Sequence, residues 1–167
     1  MGLFDLFKGD KGETMTPHLA FATALLYMMA SDGEMDNEEI GHLLSVLGGA
    51  KNGNSIGVGA NNQDLLNRAY KYMRSTPFET FLAEATPLLS DAQKMCILLN
   101  LLDSSLADGV PEREEQIIFD KIMRSFGISE ERFAPFFEVI VAKCDRSVFI
   151  DPRHPKNDPS YQVTLPR

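Results

Sequence analysis

The chain has 167 residues, 44% of them hydrophobic, with 24 acids against 16 bases and a formal charge of −8. That length and apolar content suit one domain with a sizeable core and short tails. The acidic balance argues against nucleic acid as a partner, because neutralising a phosphate backbone takes an excess of Lys and Arg.

The elements follow from caps and breakers. The start, Met1 to Lys8, lacks the cationic leader and cleavage site of a secretory signal. Leu3, Phe4, Leu6 and Phe7, interleaved with Lys8 and Lys11, form a small amphipathic segment expected to dock on the helices. Leu6 stands where an N-myristoylation pattern needs Ser or Thr. Thr16-Pro17 supplies a capping hydroxyl and a first-turn Pro for a helix through Met29. Asp36 and Glu39 form a capping box for a second helix, which Gly48-Gly49 stops after Leu47. A Gly- and Asn-rich loop over residues 50–62 leads to a third helix from Asp64 to Arg74.

Thr76 and Glu79 predict another capping box, with Pro77 in the first turn and Pro87 as the limit. Ser90 with Gln93 opens a fifth helix whose apolar residues, Met95 to Leu102, run nearly all round it, which places it centrally. A sixth helix runs from Pro111 to Phe126 and stops at Gly127. Ser129 caps a seventh, kinked or restarted near Pro135 and ending around Asp145. The Pro-rich stretch after Ile150 is expected to form no helix or sheet and to trail in solvent or lie along the surface. No stretch alternates with period two, and short connections imply antiparallel neighbours. The predicted fold is an all-α, compact helical bundle of about seven helices.

One acidic phrase occurs twice. Asp32-Gly33-Glu34-Met35-Asp36-Asn37-Glu38-Glu39 recurs, displaced by 76 residues, as Asp108-Gly109-Val110-Pro111-Glu112-Arg113-Glu114-Glu115. Each copy follows an apolar helix, so two helix-turn-helix units repeat. The first window holds five acids and no base, the second four acids and one base, so together they carry the whole net charge of −8. Such concentrated charge attracts cations or basic partners.

Capping accounts for part of this. Asp36 is a natural N-cap, Glu39 completes its box, and first-turn acids gain about 0.3–1 kcal/mol from the helix dipole. Asp32, Glu34 and Glu38 are left over, and crowded carboxylates repel. A hard divalent cation such as Ca²⁺ or Mg²⁺, which takes oxygen ligands, is the counter-charge their chemistry requests. The pattern is not an EF-hand. The second half of the loop is present, but its first and third ligand positions fall at Met28 and Ala30, and at Ser104 and Leu106 in the other copy. Each turn is therefore half a cage, either completed by its twin or rich in water.

These residues carry a resemblance. Ala30 to Glu39 and Leu106 to Glu115 resemble the doubled turn of the TerB-like tellurite-resistance family, over about residues 16–145. The resemblance implies a compact, cytoplasmic, all-helical domain of bacterial stress response and tellurite resistance, and the leading expectation for it is a non-enzymatic role. It implies that Asp32, Asp36, Glu39, Asp108, Glu112 and Glu115 map onto acidic positions that bind metal. It also points to a basic or membrane-associated protein partner at the inner membrane face. The implied organisation is an N-terminal segment over 1–15, the helical domain over 16–147 and a Pro-rich tail over 148–167. In the second copy Val110-Pro111 replaces the Glu-Met of the first.

Other chemistry finds less support. Glu39 and His42 have the spacing of a di-iron helix pair, but Ile118 holds the equivalent place of His42 in the second copy. A two-metal enzyme would need both turns in one cavity, whereas turns lie at surfaces, so exposed turns with no deep pocket reaching His42 are expected. No Ser or Cys sits in a nucleophile elbow, and Gly57-Val58-Gly59 lacks the lysine of a P-loop. Arg68, Lys71 and Arg74 read as a solvated face, and Phe133, Phe136, Phe137 and Val139 to Val141 as core. Cys96 and Cys144 read as buried small hydrophobes in a reducing compartment. No apolar run reaches the roughly 20 residues of a transmembrane helix.

Overall fold

The computed structural model describes residues 14–32, 62–107 and 109–165, with the side chains of Asp32 and Asn62 left aside. The expected second helix from Asp36 to Leu47, most of the loop that follows it and the amphipathic start lie outside the described residues. The chain divides into two compact units, Met1–Gln93 and Lys94–Arg167, each holding one copy of the acidic phrase. Among the described residues every regular element is helical.

In the first unit, α1 (Pro17–Met29) starts as the sequence predicts: Leu19 N–H donates to the Thr16 hydroxyl at 3.2 Å. Its run from Leu19 to Leu26 is buried without a break, so the helix has no solvent stripe over those turns. A 3₁₀ turn, Ala30–Asp32, closes it. α2 (Asn62–Ser75) begins two residues before the expected Asp64 and packs chiefly on α1 through Leu65, Leu66, Ala69 and Tyr72. Its outer side is solvated as expected, with Lys71 and Arg74 exposed and Arg68 reaching Asp64 at 4.0 Å. α3 (Phe78–Ala85) has Pro77 at its N-cap and no side-chain cap bond. The expected Thr76 box does not set this start, because Pro77 takes the capping position one residue later. A 3₁₀ turn, Thr86–Leu88, carries Pro87 and limits the helix as predicted.

An aromatic cluster joins these helices. Phe81 is fully buried, with its ring 5.2 Å from that of Tyr27 and 6.3 Å from that of Tyr72. Each phenol finds an acceptor, as buried tyrosines normally do. Tyr27 donates to the Thr76 carbonyl at 2.6 Å, and Tyr72 to Glu84 Oε2 at 2.7 Å. Burial, with a smaller push from Glu79, raises Tyr27 from 10.0 to about 12; burial and the Glu84 carboxylate raise Tyr72 as well. Their contribution to stability is therefore complete below the ordinary phenol value of 10.0 and is lost as pH rises through about 12 at Tyr27. Removing the Tyr72 hydroxyl as Tyr72→Phe is expected to cost about 1 kcal/mol at neutral pH, since exposed Glu84 regains water. It should also flatten the alkaline fall of the urea midpoint. A midpoint unchanged at both pH values would remove Tyr72 from this account.

In the second unit, α4 (Asp91–Ala107) opens on the predicted reciprocal cap, with Ser90 N–H on Gln93 Oε1 at 2.9 Å and Gln93 N–H on the Ser90 hydroxyl at 3.2 Å. Ile97, Leu98, Leu101, Leu102 and Ser105 turn inward. Cys96, on the other side of the helix, is exposed, which corrects the expectation of a buried thiol. α5 (Arg113–Ser125) starts two residues after the expected Pro111. It ends in a Schellman motif, with Gly127 at φ +69°, Gly127 N–H on the Arg124 carbonyl at 3.0 Å and Ile128 N–H on that of Met123 at 3.2 Å. α6 (Glu130–Cys144) is capped by Ser129 and passes through Pro135 without restarting. At its end Cys144 is half-buried beside Asp103, and burial followed by that carboxylate holds its thiol above the usual value.

Of the two expectations for the tail, it lies along the surface of its unit and does not trail in solvent. A short α7 (Ser147–Ile150) leads to a 3₁₀ turn at Pro155–Asn157, which corrects the expectation that this stretch forms no helical turn. Lys156 Nζ reaches Asp145 Oδ2 at 2.7 Å, and Asn157 Nδ2 donates to the Val148 carbonyl at 2.7 Å. The Lys156 ammonium, then the Ser147 hydroxyl, lower Asp145 from 3.8 to about 2. A lowered carboxylate gives its stability above its ordinary value and loses it as pH falls through about 2. Amide protection over residues 147–161 should therefore survive at pH 4 and fall near pH 2. In Asp145→Asn it should already be low at pH 7, and equal protection in both proteins would count against this anchor.

Candidate functional site

The acidic turn of the second unit is built where α4 stops. Gly109 takes φ +130°, a conformation that L side chains rarely adopt, and its N–H meets the Leu106 carbonyl at 3.4 Å. A Cβ there would meet nothing within 4 Å, so the backbone angle, not space, calls for glycine. Val110 is 89% exposed. Extended backbone at Glu112, the N-cap, then turns the chain into α5. Glu112 N–H donates to Glu115 Oε2 at 2.8 Å, and Gln116 Nε2 donates to the Pro111 carbonyl at 2.8 Å.

The first-turn acids thus divide by task. Glu112, exposed, and Glu115, half-buried, form a reciprocal capping box at the helix start, whereas Glu114 is exposed and takes no part in it. Of the six candidate ligands, Glu112 and Glu115 are the two whose side chains are described, and the fold brings them into one turn of α5. The Asp32 backbone closes the 3₁₀ turn after α1. Its side chain, together with Asp36, Glu39 and Asp108, lies outside the described residues, as does His42. Among the described residues no three His, Cys, Asp or Glu side chains form a metal-holding group.

The donor chemistry is that of a hard cation. Two carboxylates offer at most four oxygens, and each carboxylate already accepts a backbone N–H in the capping box, while Ca²⁺ takes six to eight. A cation here would need Asp108, turn carbonyls or water in addition. The second turn is open to solvent, as expected of a surface turn.

The same unit carries a feature that the sequence reading missed. A cavity of about 470 Å³ opens among α4, α5 and α6, walled by Leu102, Leu106, Phe119, Met123, Phe133 and Phe137. Phe133 is buried, with its ring 5.5 Å from that of Phe119, but Phe136, Phe137 and Val139 are 41%, 42% and 48% exposed. The expectation that this run is core holds for Phe133 and is corrected for Phe136, Phe137 and Val139, while Ile140 and Val141 are half-buried. An apolar pattern too wide for one face of α6 was the available signal.

No helix among the described residues is long and apolar enough to cross a membrane. Neither a curated protein nor a solved structure matches the chain. The family model described as tellurite resistance protein TerB matches residues 18–136, a span that contains both acidic turns. By that match the chain belongs to the TerB tellurite-resistance family.

Proposed function

We propose that this protein is a non-enzymatic, cytoplasmic member of a stress response of the tellurite-resistance type, which binds a divalent cation, Ca²⁺ or Mg²⁺, through its two acidic Asp-Gly turns. The observation that carries this reading is the turn at Gly109 to Glu115. It leaves Glu112 and Glu114 exposed and unused by the core, in a window that concentrates negative charge. Asp32, Asp36 and Glu39 in one turn, and Asp108, Glu112 and Glu115 in the other, are the proposed ligands. Bound cation would relieve repulsion among these carboxylates and stabilise the fold by mass action, about 2.7 kcal/mol at a hundredfold excess over Kd. For a chain of this size that is a rise of several degrees in Tm. Melting in millimolar Ca²⁺ or Mg²⁺ against chelator tests it: an unchanged Tm with both ions contradicts it.

A second reading, a module that docks a basic or membrane-associated partner at the inner membrane face, draws support from the exposed Glu112 and Glu114 flanking the turn with exposed Val110. Capture of such a partner should survive chelator and weaken with salt, because exposed charges are screened over about 8 Å at physiological ionic strength. Capture that needs metal and ignores salt would sink it.

A further inference from the structure

The groove of the second unit has a regular lining. Leu102 and Leu106 on α4, Phe119 and Met123 on α5, and Phe133 and Phe137 on α6 each stand four residues apart. Residues at that spacing form the ridges by which helices interlock, so three helices present three ridges toward one trough. The trough is open: Phe137 is 42% exposed, and Gln116 and Ala134 on its edge are exposed. An open trough suits an apolar stripe laid along it better than an enclosed small molecule.

Charge narrows the occupant. The charged residues lining the groove are Glu115, Asp120 and Glu130, with no Lys or Arg among them. An apolar helix seated here would strip water from carboxylates and give nothing back, which is costly. A helix with Lys or Arg flanking its apolar stripe would pair with them, and opposite charge also excludes acidic competitors. We infer that this groove is a docking site for a cationic amphipathic helix of a partner protein, with Leu102, Leu106, Phe119, Met123, Phe133 and Phe137 as its floor and Asp120 and Glu130 selecting its charge. The groove shares Glu115 with the proposed cation site but does not depend on a bound cation, and chelator in every sample keeps the two outcomes apart.

The test uses the full chain and two synthetic peptides of about 18 residues, roughly five helical turns. Both carry one leucine stripe; one is flanked by Lys and the other by Glu. In fluorescence anisotropy the Lys peptide should bind at least about tenfold tighter than the Glu peptide, with affinity falling as salt rises. The exposed-site variant Asp120→Lys/Glu130→Lys should reverse that preference. Phe137→Ser should weaken the preferred peptide about tenfold, and Asp151→Lys, outside the groove lining, should change nothing. Circular dichroism of each variant confirms that helix content is kept. Equal affinity for the two peptides overturns the inference, as does an unaltered preference in the double variant. Binding of neither peptide also overturns it, since the groove would then be filled by the chain itself. A chain that self-associates and is not dissociated by the Lys peptide assigns the groove to a second copy and likewise overturns the inference.

Discussion

Phe81→Ala should be the most damaging single change in the first unit, lowering stability by about 3–5 kcal/mol. The ring is fully buried and meets those of Tyr27, Tyr72 and Phe78, from α1, α2 and α3 itself. Truncation removes the transfer energy of the ring and leaves a cavity whose walls are held by hydrogen-bonded phenols, so collapse is restricted. Against a total stability of about 5–15 kcal/mol, that is a large share. Urea unfolding followed by circular dichroism measures it. Phe81→Leu should recover part of the loss, and a cost below about 1 kcal/mol for the alanine variant would mean that the cluster is not a keystone of this unit.

The second large effect concerns binding. If the turns hold a cation as proposed, Asp32→Asn and Asp108→Asn should each weaken it at least about tenfold, or 1.4 kcal/mol, by removing a charged oxygen while keeping side-chain size. Two separate sites predict that each variant loses one binding event and keeps the other. One shared site predicts that either variant abolishes all of it. Calorimetric titration of the two variants distinguishes these outcomes, and wild-type affinity in both would remove the Asp-Gly aspartates from the site. Each substitution replaces a carboxylate with an amide of the same size, so the urea midpoint in chelator should stay within about 0.5 kcal/mol of the parent.

Where a helix start depends on neighbours in sequence, the chain announced it. Thr16-Pro17, the Ser90 and Gln93 pair and Ser129 all cap as their spacing predicts, and Gly127 stops α5 as expected, by way of a left-handed turn. Local chemistry misled where two caps competed. Pro77 took the N-cap from Thr76, and the bond between Glu112 N–H and Glu115 moved the start of α5 past Pro111. Burial was harder to read because it depends on the other helices. Cys96 and Phe133 look alike as apolar residues in apolar stretches, yet one is exposed and the other buried. The Lys156 to Asp145 anchor joins residues 11 apart through a Pro-rich stretch whose composition signals only the absence of regular structure. At the candidate site the doubling and the excess charge were legible. That Glu112 and Glu115 cap each other reciprocally, one exposed and the other half-buried, is a matter of geometry, which sequence spacing does not specify.

Isothermal titration of the full-length, metal-stripped chain with Ca²⁺, Mg²⁺, Mn²⁺ and Zn²⁺ addresses the cation-binding proposal most directly. Oxygen-rich, water-accessible turns predict saturable heat with Ca²⁺ or Mg²⁺ below about millimolar concentration and no preference for Zn²⁺, whose usual ligands are nitrogen and sulfur. No heat with any of the four ions at millimolar concentration would contradict the proposal.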